Sequence, residues 1–235
     1  MFSKLALLGL TQALPMEEKV SQLPGMDPFD KYGVYSGYVP LKGTQKQIHY
    51  LFVQSAQDTY NDPLIIWFNG GPGCSSMLAF MQENGPYSIN DDGETFTASD
   101  YSWNREANVL YIEQPAGVGY SICGDQSECS WDDNNTSEDN LEAVLAWYEK
   151  YPEYKEHELY ISGESYAGIY VPYLVNQIHH YNLIHREVPE VFKPNLKGMM
   201  VGNGVTNWKY DTYPAYIELA NAHSFMDPND YEMMK

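Results

Sequence analysis

Basic side chains are scarce in this chain: 13 lysines and arginines stand against 32 aspartates and glutamates, a formal net charge of −19 over 235 residues. With no basic stripe to neutralise phosphates, nucleic-acid binding is a poor reading. The acidity itself speaks to solubility more than to function. Long hydrophobic runs are also missing, and no segment approaches the roughly 20 apolar residues of a membrane span. The three cysteines lack C-x-x-C spacing and the six histidines form no ligand pattern, which argues against a metal site. No motif calls for a cofactor, and no internal repeat is evident. What remains is globular substance. A 43% hydrophobic and 14% aromatic composition argues against disorder and can fill one sizeable core, in one or two domains.

The first thirteen residues, Met1 to Ala13, hold one lysine, a short apolar core and a small residue where cleavage can follow. They read as a brief secretory signal peptide, with a buried apolar segment as the competing reading. Two overlapping N-glycosylation sequons begin at Asn134 and Asn135 in a polar stretch, and together with the signal-like start they favour the secretory pathway. Cys123 and Cys129 lie close together in a polar loop. They can close a small disulfide, which leaves Cys74 over.

Alternation over Tyr32–Tyr38 and Gln47–Gln54 predicts an antiparallel strand pair. From Leu64 the pattern becomes strand, loop, helix. Leu64–Phe68 and Asn108–Ile112 read as buried strands. Leu141, Val144, Leu145 and Tyr148 fall at helical spacing in a helix over Glu138–Tyr151, with Thr136 as its expected cap, Glu138 and Asp139 in its first turn and Pro152 as its stop. Leu159–Ser162 and Met199–Val201 supply further strands, Ile169–His180 a helix, and Pro214–Ala222 another. Alternating strands and helices predict an α/β fold with a mostly parallel sheet wound on both faces.

Two segments carry chemistry. Gly163-Glu164-Ser165-Tyr166-Ala167-Gly168 puts a serine at a strand-to-helix turn, where a hydrolase nucleophile is lifted above the sheet and helix-start N–H groups face a developing oxyanion. The generic G-x-S-x-G pattern has Ala167 in its fifth position and the glycine displaced to 168, so an ordinary Gly-rich turn competes. The second segment, Asn69-Gly70-Gly71-Pro72-Gly73-Cys74-Ser75-Ser76, follows the apolar run Leu64–Phe68. Its unobstructed backbone N–H groups suit an oxyanion, or simply make a tight turn. A phosphate loop is disfavoured because no Gly-Lys-Ser/Thr follows.

Together with Glu113-Gln114-Pro115-Ala116-Gly117-Val118-Gly119-Tyr120-Ser121, Ser137-Glu138-Asp139-Asn140 ahead of a helix, and Leu196-Lys197-Gly198-Met199-Met200-Val201-Gly202-Asn203-Gly204, these segments resemble the serine carboxypeptidases of the α/β-hydrolase superfamily. The resemblance runs from about Pro24 to Gly204 and is looser afterwards. It implies an α/β-hydrolase-type sheet truncated before its cap region and C-terminal strands: residues 14–207 as the N-terminal part of the catalytic domain, 208–235 as the start of the cap. It also implies Ser165 as nucleophile and the N–H groups of Gly71 and Tyr166 as oxyanion hole. Asn69, Gly70 and Glu164 match positions that recognise a substrate's terminal carboxylate, Glu83 the carboxyl partner of Glu164, and Trp67 a neighbour in that network. Without those motifs Asn69 reads as a side chain that satisfies a loop backbone, Glu83 as a solvated helix residue and Trp67 as core. The cysteine at the position of Cys74 commonly bridges to the C-terminal half in that family.

A serine needs a positioned base and an orienting carboxylate, in the chain order Ser, Asp/Glu, His for this superfamily. Beyond the helix after Ser165 only His223 follows, while His179, His180 and His185 read as surface residues and His49 and His157 precede the serine. The family's motifs for acid and base are missing. Losing the base of a comparable triad costs on the order of 10⁶ in kcat, so the chain alone is expected to be nearly inactive. Three functions follow: a serine-type carboxypeptidase of lysosome, vacuole or extracellular space, acting on peptide C-termini and favoured at acidic pH; an acyltransferase relative, which the retained Asn69 and Glu164 argue against; or an inactive peptide-binding or interaction protein paired with a complementary C-terminal half.

Overall fold

A computed structural model describes residues 14–235; the expected signal peptide, 1–13, lies outside the described residues. Val34–Pro40 (β1) and Gln47–Val53 (β2) pair antiparallel, in register from Val34↔Val53 to Pro40↔Gln47, as their alternation predicts. Leu64–Phe68 (β3) runs into the glycine loop and the short helix Met77–Gln82 (α1). A small hairpin, Tyr87–Ile89 (β4) with Phe96–Ala98 (β5), has no counterpart among the sequence expectations. Then come Asn108–Ile112 (β6), the helix Asp133–Lys150 (α2), Leu159–Glu164 (β7), the helix Ala167–Ile184 (α3) and Leu196–Gly202 (β8). Tyr213–Ala222 (α4) and Pro228–Met234 (α5) follow.

The main sheet has the order β1-β2-β6-β3-β7-β8. From β6 to β8 every neighbouring pair is parallel, and only β2 is reversed, running antiparallel to both β1 and β6. This is the mostly parallel α/β sheet that the sequence predicts. Helices on both sides of the central strands explain why β6 is buried at every position, since a parallel sheet covered on two faces has no wet face for polar residues. One core lies under α2 and α3, where Val144, Trp147, Tyr148, Val171, Leu174 and Ile178 meet Phe52, Leu64, Ile66 and Leu110. The other face packs Met77, Ala79 and Phe80 of α1, with Met26 and Phe29 of the N-terminal segment, against Leu51, Val53, Trp67 and Val109.

The edges differ. β8 forms the last strand and leaves Met199 and Met200 exposed, 52% and 40% accessible. Such an unpaired apolar edge is a template for association.

The start of α2 corrects the sequence reading. Asp132, not Thr136, is the cap: its carboxylate accepts from the N–H groups of Asn134 and Asn135 at 2.8 and 2.9 Å, and the Asn135 carboxamide oxygen accepts from Asp132 N–H at 2.8 Å. This reciprocal box satisfies donors that a helix start otherwise leaves orphaned. The first turn therefore carries Asp133, not Glu138 and Asp139, and Ser137–Asn140 lies inside the helix rather than before it. Thr136 and Ser137 are buried, and Ser137 Oγ is held between Asn134 O at 2.7 Å and Gln177 Nε2 at 3.0 Å. Tyr151 ends the helix ahead of Pro152, whose missing N–H cannot continue the ladder.

Candidate active site

Ser165 sits between β7 and α3 with φ +57°, a left-handed conformation that is unfavourable for a residue with a Cβ. Two backbone bonds hold it there: Ser165 N–H donates to Gly202 O at 3.0 Å, and Val205 N–H donates to Ser165 O at 2.9 Å. The turn is tight enough to dictate its flanking residues. A Cβ at Gly163 would come 2.6 Å from the Ala167 methyl and closer still to Phe68 O. Thus Ala167 occupies space that Gly163 leaves open. A Cβ at Gly168 would lie 2.5 Å from Val205 O and 2.8 Å from its carbonyl carbon, so the displaced glycine admits the chain that leaves β8.

The glycine loop presses on this turn. A Cβ on Gly70, which is buried, would fall 2.7 Å from Glu164 O and 2.9 Å from Ser165 Cβ, with Tyr166 N nearer again. Gly71 follows at φ +111° and is exposed. Among the described residues, neither the Gly71 nor the Tyr166 N–H donates to a protein acceptor. Backbone donors left free in this way can receive a developing oxyanion. The loop is tied down from below: Ser76 Oγ donates to Ile112 O at 2.7 Å and accepts from Asn69 N–H at 3.2 Å, Ser75 Oγ bonds to Glu113, and Gly73 N–H donates to Tyr170 Oη at 3.2 Å.

Asn69 is the hub of the polar cluster next to the serine. Its buried Oδ1 accepts from Trp67 Nε1 at 2.9 Å and Ala79 N–H at 3.3 Å, which fixes the carboxamide's orientation. The opposite end, Nδ2, lies 3.1 Å from Glu164 Oε1 and 3.4 Å from each oxygen of Glu83. Withdrawal of water from its carboxyl, then the charge of Glu164, push Glu83 above the ordinary carboxylate range; the Asn69 bond opposes them. Two carboxyl groups around one amide cannot both ionise cheaply. Trp67 is also packed edge-on against Trp103, with ring centroids 5.0 Å apart.

These elements place six expected site residues together: Asn69, Gly70 and Gly71 on the loop, Glu164, Ser165 and Tyr166 on the turn. Glu83, at the end of α1, and Trp67, on β3, reach them through Asn69. The histidines do not join. His49 and His157 are buried elsewhere, His179, His180 and His223 are exposed, and His185 bonds Tyr181 O at 2.9 Å. Among the described residues no histidine is hydrogen-bonded to Ser165. Asn134 is exposed on the first turn of α2, and Asn135 is committed to the cap. Cys123 and Cys129 are joined by a disulfide, and Cys74 is free and exposed. No group of metal-ligating side chains occurs among the described residues, and no helix there is long and apolar enough to cross a membrane.

The profile of the serine carboxypeptidase family matches residues 24–235. The chain belongs to the serine carboxypeptidase family. Among its relatives, the mouse "Lysosomal protective protein" is 40% identical over 198 residues, covering 84% of this chain and 39% of that protein. "Serine carboxypeptidase-like 35" of Arabidopsis thaliana is 42% identical over 214 residues, 89% of this chain and 44% of that one. The crystal structure of KEX1(delta)P, a prohormone-processing carboxypeptidase from Saccharomyces cerevisiae, superposes with a TM-score of 0.78 at 27% identity, covering 92% of this chain and 49% of that chain. This serine carboxypeptidase chain therefore spans less than half the length of those relatives, and its sheet is that of an α/β-hydrolase.

Sequence reasoning missed the groups that anchor this loop and turn. Ser75, Ser76 and Glu113 anchor the loop, and Asp133 accepts from Tyr166 Oη at 3.0 Å. Each stood inside a quoted motif or beside one, but a hydroxyl that serves as an anchor has no spacing of its own to reveal it.

Proposed function

We propose that the whole protein is a serine-type carboxypeptidase that removes C-terminal amino acids from peptides through an acyl-enzyme. Ser165 Oγ attacks the carbonyl carbon of the last peptide bond, the oxyanion is received by the N–H groups of Gly71 and Tyr166, and the amino acid leaves with the proton the serine gave up. Water then hydrolyses the ester. The observation that carries this reading is the Asn69–Glu164–Glu83 cluster beside Ser165, with Asn69 Nδ2 3.1 Å from Glu164. A proton retained on one of the two carboxyls lets it donate to a terminal carboxylate, with Gly70 and Trp67 framing it. Raising pH strips that proton and repels the substrate, so activity is favoured at acidic pH, as in a lysosome, vacuole or acidified secretory space.

The base and its orienting acid come from the remainder of the protein, and residues 208–235 begin its cap. The 235-residue chain alone is then a binding-competent but catalytically silent half, because a serine without its base retains only about 10³ to 10⁴ over water. The absence of any histidine bonded to Ser165 among the described residues favours this second state for the isolated chain.

The test is mass spectrometry of products from the full-length protein with matched peptides bearing a free or an amidated C-terminus. Release of the last residue from the free acid, lost in Ser165→Ala, is expected. Equal turnover of the amide, or transfer of the acyl group to an added alcohol in preference to water, would replace the carboxypeptidase reading.

A further inference from the structure

A second serine in this fold has its own base. Ser36 Oγ on β1 lies 2.8 Å from His49 Nε2 on β2, and His49 Nδ1 lies 2.8 Å from Glu113 Oε2 at the end of β6. Four strand steps separate β1 from β7 in the sheet, about 19 Å at the usual strand spacing, so Ser36 is remote from Ser165, while Glu113 also holds Ser75 of the glycine loop. Glu113 is fully buried and His49 is 4% exposed. Burial pushes Glu113 up, but the bonds from His49, Ser75 and Tyr120 N–H, the last at 2.7 Å, outweigh it and hold the carboxyl below its ordinary range. The ionised carboxylate can only accept, which places the imidazole proton on Nδ1. Nε2 then presents its lone pair to the Ser36 hydroxyl, the tautomer a general base requires.

The relay opens onto a space. Ser36 and His49 line a cavity of about 290 Å³ whose other walls include Leu51, Met77, Phe80 and Tyr120. A polar relay at the wall of an apolar cavity is the arrangement of a small-molecule site.

We propose that Ser36 is a second activated nucleophile, which accepts the acyl group of small apolar esters bound in this cavity. Ser36 Oγ bonds to the ester carbonyl carbon as His49 Nε2 takes its proton. The carbonyl–alkoxy bond breaks, the departing alcohol receives that proton, and water later releases the acid by the reverse path. Glu113 is a positioning residue that keeps the imidazole in its working tautomer.

The test treats the full-length protein with a fluorophosphonate probe, in which serine displaces fluoride from phosphorus, and maps the adduct by peptide mass spectrometry. Labelling of Ser36 is expected in the wild type and equally in Ser165→Ala. It should be at least ten-fold slower in His49→Gln and be blocked in the wild type by p-nitrophenyl butyrate. The last comparison needs no variant to fold. Label confined to Ser165, no label at all, an unchanged Ser36 rate in His49→Gln, or no protection by the ester would each overturn the proposal. Because the readout is at Ser36, it stands or falls apart from the role of Ser165.

Discussion

Gly70→Ala should separate the oxyanion loop from the serine turn. The added methyl would meet Glu164 O at 2.7 Å and Ser165 Cβ at 2.9 Å, with Tyr166 N nearer still. None of these is the end of a flexible side chain. Restoring the 3.4 Å of ordinary contact to Glu164 O alone requires a shift of about 0.7 Å, and the shift at Tyr166 N is larger. Overpacking a tight interior of this kind costs about 1–3 kcal/mol. For a chain of this size each kcal/mol lowers Tm by about 2–4 °C, so a fall of several degrees is expected in a thermal melt of the 235-residue chain. On the proposed reading, the same shift in the full-length protein moves the Tyr166 donor off its target and should lower kcat about 10²-fold or more. A Gly70→Ala chain that melts with the wild type, in a full-length enzyme of undiminished kcat, would refute the close approach of loop and turn.

Glu83→Gln tests the raised pKa of Glu83. The folded pKa of Glu83 lies above the ordinary 4.5, so the native state holds its proton more tightly than the unfolded chain, and stability falls as pH rises from about 4.5 through the raised value. The variant should therefore be relatively more stable than wild type at neutral pH, with no such gain at pH below the carboxylate range, in melts across that range. A constant difference at every pH counts against the coupling. In the full-length protein, Glu164→Gln should raise KM for free-acid peptides while sparing hydrolysis of a neutral ester, and Gly163→Ala should lower kcat on both; a Glu164→Gln enzyme equally impaired on the ester would assign Glu164 to the turn's structure instead. Asp132→Ala removes the acceptor of two N–H groups at the start of α2 and should cost about 1 kcal/mol, read as a Tm drop of about 2–4 °C. Met200→Lys on the exposed β8 edge should raise the monomer fraction of the isolated chain in sedimentation. Unchanged association would move the contact elsewhere.

Most of the sheet is legible because its strands are either alternating or continuously apolar. Leu64–Phe68 lies between Pro63 and Asn69, and Asn108–Ile112 opens on a polar asparagine and is followed by Glu113-Gln114-Pro115, so their limits follow from the sequence as well as their existence. The start of α2 is not legible in the same way. Asp132-Asp133-Asn134-Asn135-Thr136 offers five residues that can cap, and the choice is made by the burial of Thr136 and Ser137 against α3 through Gln177, a tertiary fact. The His49–Glu113 contact joins residues 64 positions apart and has no local trace. The hairpin of β4 and β5 consists of three-residue strands, too short for periodicity to register.

The register of two strands explains why the Asn69–Glu164 cluster and the Ser165 turn occur together. β3 and β7 are parallel neighbours with Phe68 opposite Gly163, so the next residue on each, Asn69 and Glu164, emerges at the same end of the sheet, where their side chains meet at 3.1 Å. One residue further are Gly70 and Ser165, which is the contact that admits no Cβ. A slip of one position in a strand turns each side chain to the other face, and here it would pair Gly70 with Glu164 and leave Asn69 facing Gly163. The carboxylate cluster and the serine turn are therefore set by a single alignment and are lost together if it changes.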